Sequence, residues 1–424
     1  IRIGARAEKA RFLRLTDPAG FPVFFVENDR YFDRDYLYGT PEGDYPDNLE
    51  RFSFFSRAVL ELLPLLKPEP AVLHCHDWQT ALLPIYLHWL PALRERFPRL
   101  ATLLTLHNLG YQGIFPPEKF PALGLPAEAY RPSGLEFWGR INLLKGGILS
   151  ADFLTTVSRK YAREIQTREF GFGLEGVLAS RQGDLTGILN GVNYQEWDPA
   201  SDPHLAANYK PGNTAGKRAC KEDLLKNFAF PPAFETIPVL GMVTRLAEQK
   251  GIELLAEAIP GLVLRDLALI ILASGEERYQ KLLGGLARAH PERLRVRFGF
   301  DHALAHQIEA GSDLFLMPSR YEPCGLNQII SLKYGTVPIV RATGGLDDTV
   351  EAFDPLTGRG NGFKFSEYQA ADLIHEVDRA LRVFADPPNW KKLVANAMAS
   401  DFSWGRPARE YLELYERLSR RRKE

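Results

Sequence analysis

The stretch VLGMVTRLAEQKGIELLAEAIPGLVLRDLALIILA, residues 239–273, decides the fold. Its ends, 239–243 and 267–272, are short and apolar throughout, with no clean in–out alternation. Strands read this way when both faces are covered by other elements. A helix-length segment, 252–259, lies between them, so the whole reads as strand, helix, parallel strand. The same order extends outward in both directions. Short apolar runs at 71–74, 101–106, 153–157, 186–189, 296–298, 314–317 and 337–340 alternate with helical patterns at 79–90, 159–167, 279–289, 328–334 and 371–384. Repeated βα order of this kind predicts an α/β fold built on parallel sheets.

The series breaks at FAFPPAFETIP, residues 228–238, where three prolines and no periodicity suit a linker or hinge. Two Rossmann-like domains facing a central cleft are the architecture this predicts. Their expected bounds are 1–230 for an N-terminal domain and 237–401 for a C-terminal nucleotide-binding domain, with a closing segment at 402–424. A (β/α)₈ barrel is the competitor, but it needs one closed series of eight units, and the break counts against it. The basic tail 419–424 reads as the solvated end of a helix.

Length and composition agree with two domains. The chain has 424 residues, 45% hydrophobic and 25% charged, which excludes a small single-core module and global disorder. With Lys+Arg 52 against Asp+Glu 53, no broad positive field exists to attract nucleic acid or an anionic membrane. The longest strongly apolar run, 267–273, is far too short to span a bilayer. Three cysteines without a CxxC pair point to a reducing compartment and give no zinc-site spacing.

Unusual polar clusters follow the predicted strands, where open α/β sheets bind ligands. The first half supplies HCHDW (74–78), TLHN (105–108) and LNGV (189–192); the second supplies TRLAEQKG (244–251), SRYEPCGL (319–326) and RATGGL (341–346). Asp77 reads either as an N-cap or as a carboxylate near a substrate. His107 reads as a hydrogen-bonded strand-end histidine or a site residue, and Asn190–Gly191 as a turn. Arg245 and Lys250, five apart beside a helix start, make a seat for a diphosphate or else a solvated surface pair. Gly344–Gly345 could bring backbone N–H groups to phosphate oxygens, or form a tight turn. Glu322 is held extended by Pro323 at a strand exit, which suits a carboxylate aimed at a ligand. Asp33-Arg34-Asp35 spells DxD but follows no buried strand, so a metal role is not assigned to it.

Taken in order with KYGTVPIVRATGGL (333–346) and DFSW (401–404), these motifs strongly resemble the ADP-glucose-dependent glycogen and starch synthases, from about Tyr45 to Tyr415. The resemblance implies the GT-B architecture, with the final helix crossing back to the first domain. It implies transfer of glucose from ADP-glucose to the nonreducing end of an α-1,4-glucan, with retention of configuration, without metal or other cofactor. By motif, Asp77, His107 and Asn190 would lie around the glucosyl unit and acceptor. Arg245 and Lys250 would hold the diphosphate, Glu322 would bind the transferred glucose, and Thr343, Gly344, Gly345 and Leu346 would complete the phosphate seat. Gln328 and Ile329 fall where distant relatives place a second acidic residue. A cytoplasmic location is implied, or a plastid one for a plant protein, with no nucleic-acid or membrane partner.

The family opens with a strand and a lysine-containing KxGGL loop, and no such motif precedes Asp77. The expectation is a chain shortened at its start. Two other readings share the architecture: a non-catalytic glucan- or nucleotide-binding protein lacking the lysine loop, and a glucan phosphorylase carrying pyridoxal phosphate on a lysine.

Overall fold

The computed structural model describes residues 1–4, 6–40 and 43–421. The chain divides into two compact units, the first comprising Ile1–Thr156, Ala162–Gly187 and Glu410–Glu424, the second Val157–Tyr161 and Ile188–Arg409.

The first unit is built on four parallel strands, β1 (Val72–His76), β2 (Ala101–Leu106), β3 (Phe153–Thr156) and β4 (Leu185–Gly187), in the order β4-β3-β2-β1. All six residues of β2 are buried, as its unbroken apolar run requires. The threonines of this sheet remain satisfied inside it, Thr105 Oγ1 bonding Thr155 Oγ1 at 2.6 Å and Thr156 Oγ1 donating to Leu106 O at 2.7 Å. An antiparallel hairpin, Arg11–Thr16 with Pro22–Glu27, lies in the opening stretch that pattern reading leaves unassigned.

The second unit carries six parallel strands: β5 (Val239–Leu246), β6 (Ala268–Gly275), β7 (Leu294–Phe298), β8 (Leu314–Met317), β9 (Val337–Arg341) and β10 (Phe363–Phe365). Their order is β7-β6-β5-β8-β9-β10, the 3-2-1-4-5-6 arrangement of a nucleotide-binding Rossmann sheet. Alternate residues feed separate cores. Leu240, Met242 and Leu246 of β5, Leu269 and Ile271 of β6, and Leu314 and Leu316 of β8 pack into one; Val239, Ala268, Ile270, Leu272, Phe315 and Met317 pack into the other. Two buried faces leave no position for a polar residue, which is why these strands show no alternation in sequence. Helix α1 (Ile252–Leu262) buries Ile252, Leu254, Leu255, Ala258, Ile259 and Leu262, each large side chain contributing about 1.5–3 kcal/mol.

Three readings need correction. Residues 228–238 are not a linker. Phe228 and Phe230 are buried in the second unit's core, and Arg297, Arg295 and Arg293 lie over the rings of Phe228, Phe230 and Phe234 at 4.8, 4.9 and 5.1 Å. Period-two arginines facing aromatic rings hold the segment against the edge strand, an attraction the local proline pattern does not reveal. The longer segment of the second unit runs from Ile188 to Arg409, so residues 188–230, expected in the N-terminal domain, lie in it. Arg245 lies on β5 itself, opposite Ser274, because the strand continues beyond Val243. The last helix, α2 (Gly405–Arg421), joins the first unit from Glu410 onward, through His74 Nδ1 to Tyr415 OH at 2.7 Å and Arg417 over Phe153. Of the basic tail, residues 422–424 lie outside the described residues.

Candidate active site

In a 3-2-1-4-5-6 sheet the strand order reverses between the first and fourth strands, and ligands bind at the carboxyl ends there. Those strands are β5 and β8. A cavity of about 380 Å³ opens at that place, lined by Thr244, Arg245, Lys250, Ser319, Glu322 and Asn327 among others. Sequence positions 245, 250 and 322 therefore converge on one pocket within the second unit.

Glu322 is buried, 5% exposed, and its carboxylate oxygen Oε2 accepts from Lys250 Nζ at 2.5 Å and from Ser319 Oγ at 3.0 Å. Arg245 is exposed on the cavity wall and forms no ion pair among the described residues. The two cations thus differ: Lys250 is already engaged, while Arg245 presents an unneutralised guanidinium. Asn327 Nδ2 donates to Val243 O at 2.8 Å, fixing the start of the next helix, α3 (Asn327–Lys333), to β5.

The Thr343–Leu346 turn, the expected phosphate seat, packs against the segment that carries Glu322. The Gly345 N–H donates to Glu322 O at 3.0 Å, and the Leu346 N–H to Thr343 O at 3.1 Å. A Cβ on Gly344 would overlap Glu322 O, and one on Gly345 would overlap Cys324 O; Gly344 also has a φ of +47°, the left-handed region. Both glycines let the turn press against the Glu322 segment and hold it. Gln328, buried in α3, completes this scaffold: its Nε2 donates to Cys324 O, Gly325 O and Thr349 Oγ1 at 3.0–3.1 Å. Ile329 is buried in a neighbouring core cluster. Burial pushes the Cys324 thiol up to about 12, against the Asn190 backbone N–H that lies on it. Asn190 and Gly191 do not form the expected turn; they run on to Val192, whose N–H bonds Phe402 O at 2.9 Å and which bridges Ser403, joining the LNGV and DFSW motifs.

The first unit gathers its own polar group at the ends of β1 and β2. Asp77 adopts φ +56°, rare for a non-glycine residue, a strain of order 1–3 kcal/mol that clusters at functional sites. Its side chain does not cap its own helix. Oδ1 instead accepts from His107 N at 2.7 Å, tying the exits of two strands, and the Asn108 N–H also supports the carboxylate. Burial nevertheless raises Asp77 to about 6 from the usual 3.8, outweighing both N–H groups. His107 Nε2 lies 3.0 Å from His76 Nδ1, and His74 Nε2 bonds Thr105 Oγ1 at 2.6 Å. Burial lowers all three imidazoles, His74 to about 3. His76 joins this group, and sequence reading did not single it out. Period two in HCH places it on the face of His74, and that was the available signal.

Asp33 ends a short helix, and Arg34 beside it pairs with Asp47; neither Asp33 nor Asp35 joins a metal-competent group among the described residues. Among those residues no helix is long and apolar enough to cross a membrane.

Comparison with known proteins shows the family. Residues 1–180 match the family model described as starch synthase catalytic domain, and residues 225–397 match glycosyl transferases group 1. Glycogen synthase from Koribacter versatilis is 51% identical over 97% of this chain and 85% of its own length. Glycogen synthase 2 from Geobacter sulfurreducens is 47% identical over 95% of this chain and 83% of its own. Among solved structures, the catalytic domain of starch synthase IV from Arabidopsis thaliana, bound to ADP and acarbose, superimposes with a TM-score of 0.89 at 34% identity, covering 98% of this chain and 86% of that one. Sucrose-phosphate synthase from Thermosynechococcus elongatus, at 19% identity and a TM-score of 0.58, shares the fold. The chain belongs to the glycogen and starch synthase family of GT-B glycosyltransferases.

Proposed function

We propose that this chain transfers glucose from ADP-glucose to the nonreducing end of an α-1,4-glucan, retaining anomeric configuration, through the residues gathered at the β5–β8 switch. The observation that carries this is the convergence of Arg245, Lys250 and buried Glu322 on one cavity. Breaking the glucose–phosphate bond leaves negative charge on ADP and positive charge on the sugar. Arg245, without an ion pair among the described residues and able to bind bidentately, takes the diphosphate; Lys250 shares its charge between the phosphate and Glu322. The Glu322 carboxylate accepts hydrogen bonds from glucose hydroxyls and faces the developing sugar charge. Thr343–Leu346 holds Glu322 in place.

Asp77, His107 and Asn190 are assigned to the glucosyl unit and acceptor. His107, held neutral by burial, donates or accepts a hydrogen bond without adding charge. In this reading cationic side chains stabilise departing ADP, and the reaction needs no metal. Chelator therefore leaves turnover unchanged; loss of turnover in EDTA that Mg²⁺ restores would overturn that part.

The test is glucosyl incorporation into glycogen from labelled ADP-glucose, by the parent chain and by Glu322→Ala. Transfer should fall at least ~100-fold in the variant while ADP affinity stays within a few-fold, because the group acts mainly in the transition state. Turnover within about three-fold of the parent would make Glu322 a structural residue.

A further inference from the structure

Away from the cavity, three histidines of the second unit converge. His302 and His306 stand one turn apart on α4 (His302–Gly311; the helix Glu277–Ala289 being α5), a spacing that places both imidazoles on one face. His204 comes from the loop that precedes Tyr209. One ring nitrogen from each lies within 4.8 Å of the others.

The surroundings of His306 resemble those of a metal ligand. Its Nδ1 bonds Asp202 Oδ2 at 2.7 Å, and that carboxylate is itself buried, accepting also from Tyr334 OH at 2.5 Å and from the His204 N–H at 2.9 Å. A carboxylate is acceptor-only, so Nδ1 carries the proton and Nε2 carries a lone pair. Trp197 stacks on the ring at 3.7 Å and 6°, fixing its plane. His306 is 1% exposed, and its Nε2 has no hydrogen-bond partner among the described residues. The Asp202–Tyr334 bonds alone would account for a structural histidine. They leave unexplained a buried lone pair beside two further imidazoles.

We infer that His204, His302 and His306 form a binding site for a borderline divalent transition cation, Zn²⁺, with Asp202 as the carboxylate that orients His306. Carboxylate–histidine–metal triads fix tautomer and raise ligand basicity in this way. Three neutral imidazoles suit Zn²⁺ better than Mg²⁺ or Ca²⁺, which take oxygen ligands. Zn–N bonds of about 2.0–2.1 Å need nitrogens roughly 3.4 Å apart, so the partly exposed His204 and His302 swing inward by about an ångström while His306 stays fixed. The fourth position falls to water or to Glu196, whose carboxylate is 3.8 Å from His302. Bound metal pins the loop around residue 204 to α4, whose N-cap Asp301 and whose Ala305 line the 380 Å³ cavity. It stabilises that wall and takes no part in the transfer.

The test is competition of chelator-stripped, dialysed protein with a chromophoric chelator for Zn²⁺. One Zn²⁺ per chain should bind with a Kd of ~1 µM or tighter, and His302→Ala and His204→Ala should each weaken it about 100-fold. Both variants alter partly exposed residues, and their metal-free melting temperature should equal the parent's. Zn²⁺ should raise Tm in the parent only, and Co²⁺ should give tetrahedral d–d bands without thiolate charge transfer, since the three cysteines lie elsewhere. Binding weaker than ~100 µM, or equal affinity in parent and His302→Ala, would overturn the site.

Discussion

The ammonium of Lys250 lies 2.5 Å from a carboxylate oxygen of Glu322, and the carboxylate side chain is only 6% exposed. A cation assigned to the nucleotide is thus also the counter-ion of the group assigned to the sugar. Lys250→Ala should therefore do two things at once. It weakens ADP binding, and it leaves a buried charge supported by Ser319 alone, costing up to about 3–5 kcal/mol. Denaturant unfolding beside ADP titration measures both.

Arg245→Ala should separate them. Its guanidinium is exposed and has no internal partner among the described residues, so stability should change by less than about 0.5 kcal/mol while ADP affinity falls. Equal stability losses in the two variants would contradict this division of labour.

Gly345→Ala should damage transfer by displacing Glu322. The new methyl would overlap Cys324 O, and relieving it displaces the Glu322 segment whose carbonyl accepts the Gly345 N–H. We expect about 1–3 kcal/mol of destabilisation, the range for overpacking. Turnover should fall more than ~10-fold, with ADP affinity less affected.

Acid should weaken the first unit through its histidines. His74 is lowered to about 3, below the 6.5 of an unfolded histidine, so its neutral form belongs to the fold. That contribution is present above about pH 6.5 and is lost as pH falls from there toward 3. Unfolding curves at pH 7, 5.5 and 4.5 should show stability declining, and His74→Gln should flatten the decline.

Asp77 works in the opposite direction. Raised to about 6, it binds its proton more readily folded than unfolded, so its own contribution to stability grows as pH falls from 6 toward 3.8. Carboxyl NMR should place its midpoint near 6. Asp77→Asn should lack that transition and transfer glucose at least ~10-fold more slowly, the cost of one charge-assisted hydrogen bond. A midpoint near 4 would mean the site is open to solvent.

Most of the parallel strands were legible because burial on both faces forces residues such as Leu240 and Val239 to be apolar alike. Strand β10 was not, since Phe363–Phe365 is three residues long and interrupted by Lys364. Arg245, Lys250 and Glu322 could be picked out because strand exits are few and charged loops there are conspicuous. What sequence could not reveal was long-range pairing. The Lys250–Glu322 contact spans 72 positions, the Asp77 carboxylate turns to His107 instead of its own helix, and Asp202 finds His306 across 104. The segment 228–238 was misread for the same reason, its partners lying some 65 residues downstream.

The arginines over those phenylalanines have a consequence for solubility. β7 is an edge strand of the second sheet, and exposed edges invite pairing with a second chain. Its sequence, LRVRF, would be a strongly β-forming pentamer without Arg295 and Arg297. Clamped over Phe228 and Phe230, the guanidiniums place charge along that edge. The ladder is thus a gatekeeper against aggregation, and a chain carrying valine at both positions should keep its fold yet precipitate as concentration rises.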